Sequence, residues 1–293
     1  MTIATLIAAG RLDERLLEAA LNRLVGAGMA SSSAGWIDPG DAIDLDVAGD
    51  AAQIRAVFNG WEGVDIIPHA AAQRAVRLFV ADMDSTMIGQ ECIDELADYA
   101  GVKPQVAAIT ERAMRGELDF AGALSERVEL LAGVNEATIG RCLAERIRPN
   151  PGAATLVGTL AARGTTTVLV TGGFTAFADP VGQALGYAYV HANRLEIEDG
   201  RLTGRTIGPI VDSARKAAVL QETREVLDLA VEQTMAVGDG ANDGAMIRAA
   251  GLGVGYRPKP ALAAAADAVL LHHPLDALLW ALGVPRGDWL VRD

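Results

Sequence analysis

Three short apolar segments, each running directly into a cluster of polar residues, constrain the fold of this chain more than any other feature. The apolar segments are residues 75–80, 165–170 and 234–237, and the polar clusters are residues 81–86, 171–173 and 238–243. Each segment has the composition of a buried strand, and helix-like sequence follows each cluster. Strands that alternate with helices predict a parallel sheet, in which ligands bind beyond the carboxyl ends of the strands. All three clusters are therefore expected at one edge of a sheet.

The rest of the chain predicts a three-part α/β organisation. Residues 1–77 are expected to form a small α/β unit with helices over 12–25 and 51–58 and an interrupted extended segment over 35–47. Residues 78–90 and 152–293 are expected to form the parallel-sheet core, and residues 91–151, with helical spacing and glycine breakers, a helical insertion. Alternating residues around Asp199-Gly200 predict a hairpin within the core.

The net charge of the chain limits the kinds of molecule that it is expected to bind. The formal net charge of −13 produces a field that repels nucleic acid and anionic membranes, so we expect neither as a partner. The same field repels phosphorylated metabolites, so a phosphate site would need local positive charge from a metal or a lysine. The apolar start lacks the basic flank and the length of a signal or anchor, which predicts a cytoplasmic protein.

The carboxylates at two of the predicted strand ends indicate a metal site. Asp82 and Asp84 follow the first apolar segment, and Asp239 follows the third. Carboxylates gathered at the end of a buried strand need a cation nearby, because an unpaired buried charge is costly. Mg²⁺ binds one or two carboxylates together with phosphate oxygens and water. We therefore expect Mg²⁺ at this edge of the sheet.

The same pair of aspartates suggests a reaction. With its charge neutralised by a metal, the Asp82 carboxylate could attack phosphorus and form an acyl phosphate that water hydrolyses. Asp84 could protonate the leaving alkoxide and then deprotonate the water. An Asp-x-Asp pair alone is more typical of a solvated turn, and it is the apolar strand before it that favours catalysis.

Two further elements have ordinary explanations in isolation. Thr171-Gly172-Gly173 is typical of a turn, although at a strand end its hydroxyl and bare N–H groups could bind phosphate. Lys216 would usually be a surface lysine, and Arg215 competes with it for any role.

Other site classes are disfavoured. The glycines of residues 238–244 are spaced Gly-x-Gly-x-x-x-Gly and include aspartates that would repel a pyrophosphate, which argues against a dinucleotide fingerprint. The histidines show neither metal-site nor nucleophile-base spacing, and the two cysteines form neither a metal cluster nor a disulfide framework.

Taken together, the motifs resemble the haloacid dehalogenase (HAD) superfamily of phosphatases. The resemblance rests on the order and spacing of Asp82-Met83-Asp84-Ser85-Thr86, Thr171-Gly172-Gly173-Phe174, Lys216 and Gly238-Asp239-Gly240-Ala241-Asn242-Asp243. Further matches in residues 91–95, 110–120 and 192–196 are similar to the phosphoserine phosphatase branch. The resemblance covers residues 78–273 and implies a Rossmann-like parallel core with a helical cap.

That resemblance also implies a role for each matching residue. Asp82 would be the nucleophile and Asp84 the acid/base, with Mg²⁺ held by Asp82, the Asp84 carbonyl and Asp239. The remaining roles would be phosphate binding by Thr171, Gly172 and Lys216; pairing of Glu91 with a substrate ammonium and of Arg127 with its carboxylate; support of substrate and metal by Asn242 and Asp243; and lining of the cap by Met114 and Phe120.

The expected activity is therefore Mg²⁺-dependent hydrolysis of O-phospho-L-serine, the last step of serine biosynthesis. Two alternatives stay open: a HAD phosphatase or phosphotransferase for another small phosphomonoester, and a non-catalytic amino-acid-binding regulator. Thr171 stands where many relatives carry serine, but the hydroxyl is kept. Residues 1–77 weakly resemble the ACT-like units of some bacterial phosphoserine phosphatases, which would allow a homo-oligomer to form through this unit.

Overall fold

Two β-sheets form the framework of the chain, described here from a computed structural model over residues 2–292, without the side chain of Met114. The predicted role of Met114 in the cap wall lies outside the described residues. The smaller sheet is antiparallel and the larger one is mainly parallel. This confirms the predicted α/β class with a parallel core and a small N-terminal unit, whereas its likeness to ACT units stays a prediction.

The N-terminal unit packs two helices on a four-stranded sheet. Its elements are β1 (Thr2–Leu12), α1 (Glu14–Gly26), β2 (Ser31–Asp38), β3 (Gly40–Val47), α2 (Ala51–Phe58) and β4 (Asp65–His69). The strand order is β2-β3-β1-β4. Each helix begins after an aspartate, Asp13 or Asp50, whose side chain accepts a hydrogen bond from a first-turn N–H. The segment predicted over 35–47 is a hairpin that already starts at Ser31, and its turn uses Gly40 at φ +89°.

The core sheet has seven strands in the order β11-β10-β9-β5-β6-β7-β8. They are β5 (Leu78–Ala81), β6 (Thr166–Phe174), β7 (Tyr189–Glu198), β8 (Arg201–Ile207), β9 (Thr234–Gly238), β10 (Leu252–Tyr256) and β11 (Ala268–Leu270). All neighbouring pairs are parallel except β7 with β8. The three strands that precede the polar clusters, β5, β6 and β9, are adjacent at the centre of the sheet.

Helices cover the core sheet and build the insertion. Those of the core are α7 (Ala153–Ala162), α8 (Thr175–Leu185), α9 (Ser213–Val226), α10 (Gly244–Ala249), α11 (Pro260–Ala265) and α12 (Leu278–Ala281). Those of the insertion are α3 (Cys92–Tyr99), α4 (Lys103–Met114), α5 (Phe120–Glu129) and α6 (Ala137–Glu145). None of the helices within residues 2–292 combines the length and apolar character that crossing a membrane requires.

The predicted hairpin is present and connects the core to the insertion. β7 and β8 turn at Asp199 (φ +49°) and Gly200 (φ +71°). The Gly133 N–H donates to Leu202 O (2.8 Å), and the Leu202 N–H donates to Val134 O (2.9 Å). Because β7 also pairs with β6, this hairpin links the helical insertion directly to a central strand of the core.

The N-terminal sheet packs against the core through apolar and polar contacts. Ile7 and Ile67 belong to the same buried cluster as Trp280 of the core. Asp65 accepts hydrogen bonds from the His273 backbone N–H (3.0 Å), and its Oδ2 lies 2.7 Å from the His273 Nδ1. Thus His273, to which the sequence assigns no catalytic role, takes part in the packing of the two units.

Candidate active site

The ends of the three central strands bring the polar clusters together. Ala81, the last residue of β5, is in register with Leu169 of β6 on one side and Val237 of β9 on the other. The Asp82 N–H donates to Val237 O (3.0 Å), which continues the ladder to the first carboxylate. The aspartates predicted at the two strand ends are therefore neighbours.

Three buried carboxylates form a cluster suited to a hard cation. One oxygen each from Asp82, Asp239 and Asp243 lie within 4.8 Å of one another. Oxygen donors with this charge are the ligands that Mg²⁺ and Ca²⁺ prefer, so the donor set fits a divalent cation of this kind. The sequence predicted Asp82, Asp239 and the Asp84 carbonyl as metal ligands and gave Asp243 a supporting role.

Lys216 neutralises part of the negative charge of this carboxylate cluster. It lies in the first turn of α9, is fully buried, and its Nζ donates to Asp82 Oδ1 (2.6 Å) and Asp243 Oδ1 (2.7 Å). Burial lowers the pKa of Lys216, but Asp82 and Asp243 outweigh it and leave the pKa raised, so the amine stays charged. Arg215, the competing candidate, pairs with Glu222 (2.7 Å) and does not line the cavity described below.

Asp243 also fixes the loop that carries Asp239. Its Oδ2 accepts hydrogen bonds from the N–H groups of Asp239 (3.1 Å) and Gly240 (3.0 Å). A Cβ on Gly238 would lie 2.6 Å from the Asp243 side chain, so the close approach needs glycine there. With both oxygens engaged, Asp243 is placed to position its neighbours.

The carboxyl group of Asp84 is poised to hold a proton. It is half-buried, its Oδ1 accepts a hydrogen bond from the Cys92 N–H (3.1 Å), and its Oδ2 lies 2.9 Å from the point where Gly173 would carry a Cβ. Burial raises the pKa of Asp84, against the opposing effect of the Cys92 hydrogen bonds. Burial likewise raises the pKa of Asp82 well above its ordinary range, an effect that Asp243 increases and Lys216 opposes.

The Thr171-Gly172-Gly173 segment lies beside Asp84 at the end of β6. The Gly173 N–H donates to Thr171 Oγ1 (2.9 Å). Strand β6 runs on through this segment to Phe174 instead of ending before it, but its pairing with β7 is interrupted between Val170 and Phe174. The interruption frees the backbone groups of the segment from the sheet ladder.

Asn193, which the sequence did not single out for a role, holds this segment in place. It is buried on β7, its Nδ2 donates to Gly172 O (2.8 Å), and its Oδ1 accepts a hydrogen bond from the Val211 N–H (2.8 Å). The match of residues 192–196 to the phosphoserine phosphatase branch includes Asn193, but a mid-strand asparagine gives no local signal of this role because the partner carbonyl is 21 residues away.

A cavity of about 550 Å³ lies between these strand ends and the helical insertion. Nine of the predicted site residues line it: Asp82, Asp84, Glu91, Phe120, Arg127, Thr171, Gly172, Asp239 and Asn242. Lys216 and Asp243 do not line the cavity and lie behind Asp82. The volume is that of a small-molecule site.

Glu91 and Arg127 place opposite charges on the insertion side of the cavity. The Glu91 carboxylate accepts a hydrogen bond from Ser85 Oγ (2.8 Å), and burial, with a contribution from Asp84, raises the pKa of Glu91 to about 7. Arg127 lies on α5, where its Nε donates to Ala123 O (3.1 Å), and burial lowers the pKa of its guanidinium. The two side chains provide one anion and one cation for a ligand with both charges.

Lys259 is a cavity residue that sequence reasoning missed. Its Nζ lies 3.2 Å from Asp239 Oδ2, and its backbone N–H donates to Asp239 O (2.8 Å). It directly precedes Pro260, the first residue of α11. A lysine before a helix-starting proline looks like an ordinary surface residue, so the sequence offers no distinguishing signal.

Comparison with known proteins gives evidence about the family of this chain that is independent of the site geometry. The sequence model of the haloacid dehalogenase-like hydrolases matches residues 79–248. A phosphoserine phosphatase of Mycobacterium tuberculosis is 48% identical over 229 residues, which cover 78% of this chain and 56% of that protein. One from Albidiferax ferrireducens is 48% identical over 208 residues, covering 69% of this chain and 88% of the relative.

A solved structure extends the similarity to the N-terminal unit. The crystal structure of a probable phosphoserine phosphatase from Vibrio cholerae has a TM-score of 0.79 and 29% identity, and the match covers 98% of this chain and 88% of that one. The chain spans little more than half the length of two of the curated relatives that it matches, 56% of the M. tuberculosis protein and 55% of one from Streptomyces coelicolor.

Proposed function

Because the chain belongs to the haloacid dehalogenase-like hydrolases, we propose that it is a Mg²⁺-dependent phosphatase that hydrolyses O-phospho-L-serine. One observation carries the proposal: Asp82 lies at a strand end, with Lys216 on one carboxylate oxygen and the cavity beside it. The reaction class is phosphoryl transfer to a carboxylate and then to water. The names of the relatives support phosphoserine as the substrate.

The metal would be held by the carboxylates of Asp82 and Asp239 and by the Asp84 carbonyl. When bound, Mg²⁺ supplies Lewis-acid stabilisation of the charge on the phosphoryl group. Asp243 acts on this site through the loop, because its carboxylate fixes the Asp239 and Gly240 N–H groups.

The chemical steps are then carried out by Asp82 and Asp84. The free oxygen of Asp82 attacks phosphorus, and the bond between phosphorus and the serine oxygen breaks as Asp84 gives that oxygen its proton. Water next attacks the phosphorus of the acyl phosphate, Asp84 takes up the water proton, and the Asp82 carboxylate is restored as phosphate leaves. The raised pKa of Asp84 suits the acid step, because the group holds a proton to higher pH than a solvated aspartate.

Phosphate binding is assigned to Thr171, Gly172 and Lys216. The hydrogen bond from Asn193 to Gly172 O orients this backbone before substrate arrives, which reduces the ordering cost of binding. Lys216 contributes from behind Asp82, as a fixed positive charge close to the reacting oxygen.

The amino-acid part of the substrate is assigned to the insertion. A zwitterionic amino acid needs an anion for its ammonium and a forked cation for its carboxylate, and Glu91 and Arg127 offer this pair in one cavity. Phe120 lies against Gly172 and closes the apolar wall, while Asn242 lies on the core side.

Several expectations about the wider protein also stay proposals. We divide the chain into an N-terminal unit over residues 1–77, a core over 78–90 and 152–293, and a cap over 91–151. Homo-oligomerisation through the N-terminal unit and a cytoplasmic location are further predictions from the sequence.

A panel of phosphomonoesters assayed with and without Mg²⁺ tests the proposal. We expect phosphoserine to be hydrolysed best, only with the metal, and not by the Asp82→Asn variant, because an amide is a poor nucleophile. Preference for a phosphosugar or another phosphate would reassign the substrate. Serine binding without turnover of any phosphomonoester would favour the non-catalytic regulator.

A further inference from the structure

Lys259 is tied to the proposed metal ligand Asp239 at two points. The backbone hydrogen bond (2.8 Å) holds the loop before α11 against the Asp239 peptide, and the ammonium lies 3.2 Å from Asp239 Oδ2. Asp239 is 9% exposed, whereas the Lys259 side chain is 62% exposed and lines the cavity. The charged end of Lys259 thus sits at the boundary between the carboxylate cluster and the substrate space.

The balance of charges around the cavity determines what the Lys259 ammonium does there. Five carboxylates gather at the site, and three cationic side chains oppose them: Asp82, Asp84, Glu91, Asp239 and Asp243 against Lys216, Arg127 and Lys259. Lys216 is buried and paired with Asp82 and Asp243, and Arg127 belongs to the insertion. Lys259 is therefore the cation that neutralises Asp239 and faces the cavity from the core side.

A divalent cation and the Lys259 ammonium would compete for the same carboxylate, that of Asp239. Any cation bound through Asp239 competes with the ammonium for Oδ2 and is repelled by its charge. An oxyanion in the cavity, in contrast, is attracted by that same ammonium.

We propose that Lys259 is a charge-balancing and positioning residue that weakens divalent-cation binding at Asp239 and strengthens oxyanion binding in the cavity. The proposal rests on the proposed function, because it takes Asp239 as a metal ligand and phosphate as part of the substrate. Lys259 substitutes for the metal charge on Asp239 until a metal binds and afterwards supplies a positive charge to the phosphorylated ligand.

The alternative is that Lys259 only supports the loop. The Lys259→Met variant separates the two roles, since it keeps the backbone hydrogen bond and most of the stem but removes the charge. A structural support would reduce both affinities when removed, because Asp239 would lose its orientation. A charge-balancing residue shifts the two affinities in opposite directions.

The experiment measures binding without turnover in the full chain. Mn²⁺ binding is followed by electron paramagnetic resonance, and inorganic phosphate binding at saturating Mg²⁺ by calorimetry. For Lys259→Met we expect Mn²⁺ to bind about twofold to fivefold more tightly and phosphate about twofold to fivefold more weakly, the range that partly exposed ion pairs give. Lys259→Arg, which keeps the charge, should stay close to the native protein in both.

A matched control is Lys103→Met, which removes the chain's remaining lysine, 3.9 Å from Glu95 on the insertion. It should leave both affinities unchanged. Affinities that fall together, or do not change, in Lys259→Met would overturn the inference while leaving the proposed function intact. A native protein that binds neither Mn²⁺ nor phosphate would instead remove the proposed function, and the inference with it.

Discussion

Replacing Lys216 with methionine tests whether the buried ion pairs of the site are organised as described. Methionine keeps the length and apolar stem of lysine but leaves Asp82 and Asp243 without their shared cation, whose Nζ lies 2.6 and 2.7 Å from them. Removing one partner of a buried pair costs about 3–5 kcal/mol, because the remaining charge is left uncompensated. We expect a loss of this size in the free energy of unfolding at pH 8.

The pH dependence of this loss has a definite sign. Burial raises the folded-state pKa of Asp82 above its unfolded value, and removal of Lys216 takes away the group that opposes this rise. The cost of the charged carboxylate is then greatest above the folded pKa and is lost as pH falls and the group takes up a proton. The difference between variant and native protein should therefore shrink as the pH is lowered from 8.

Urea unfolding followed by circular dichroism measures both effects. The double variant Lys216→Met/Asp243→Asn is the matched control, since it removes one of the two orphaned charges and should recover part of the stability. Added Mg²⁺ should stabilise Lys216→Met more than the native protein, because it supplies the missing positive charge. A Lys216→Met protein within about 1 kcal/mol of the native one at pH 8 would refute the reasoning, as that is the value of an exposed pair.

Two further predictions concern the substrate. Arg127→Ala should raise KM for phosphoserine by about tenfold or more, the loss expected for a charge-assisted hydrogen bond of about 1.5–3 kcal/mol, and leave KM for a phosphomonoester without a carboxylate nearly unchanged. Equal increases in the two KM values would exclude Arg127 as the partner of the substrate carboxylate. The control variant Arg112→Ala, which changes an arginine on the insertion that is paired with Glu126, should change neither KM value. The pKa of Glu91 is raised to about 7 by burial, so the anion that pairs with the substrate ammonium is present above pH 7 and is lost below it. The ratio of kcat/KM for phosphoserine to that for an amine-free phosphomonoester should therefore fall as pH drops from 8 to 6, and this dependence should be absent in Glu91→Gln.

The parts of the fold that follow from local sequence were predicted well. The apolar segments before Asp82, Thr171 and Asp239 are adjacent strands, as expected for short runs of mainly β-branched and aliphatic residues, which are typical of strands buried on both faces of a parallel sheet. The Asp199-Gly200 turn was likewise recognisable from its turn residues, and the helices of the insertion from their helical spacing and glycine breakers.

What the sequence could not show depends on distant contacts. Asn193 acts on a carbonyl in another strand, and Lys259 acts on a carboxylate 20 positions earlier in the chain, so neither pairing leaves a local pattern. Strand β6 was expected to end before Thr171, yet it continues to Phe174 because β7 resumes pairing there at Asn193. The exclusion of Lys216 from the cavity wall follows from its pairing with two aspartates, which only tertiary structure brings together.

The most direct test of the account is to trap the covalent species. The protein would be mixed with phosphoserine and Mg²⁺, quenched in acid within milliseconds, digested and examined by mass spectrometry. We predict one added phosphoryl group on the peptide that contains Asp82, sensitive to hydroxylamine and missing from Asp82→Asn. A phosphoryl group on another residue, or rapid turnover with no labelled peptide at any time point, would contradict the central claim that Asp82 is the nucleophile.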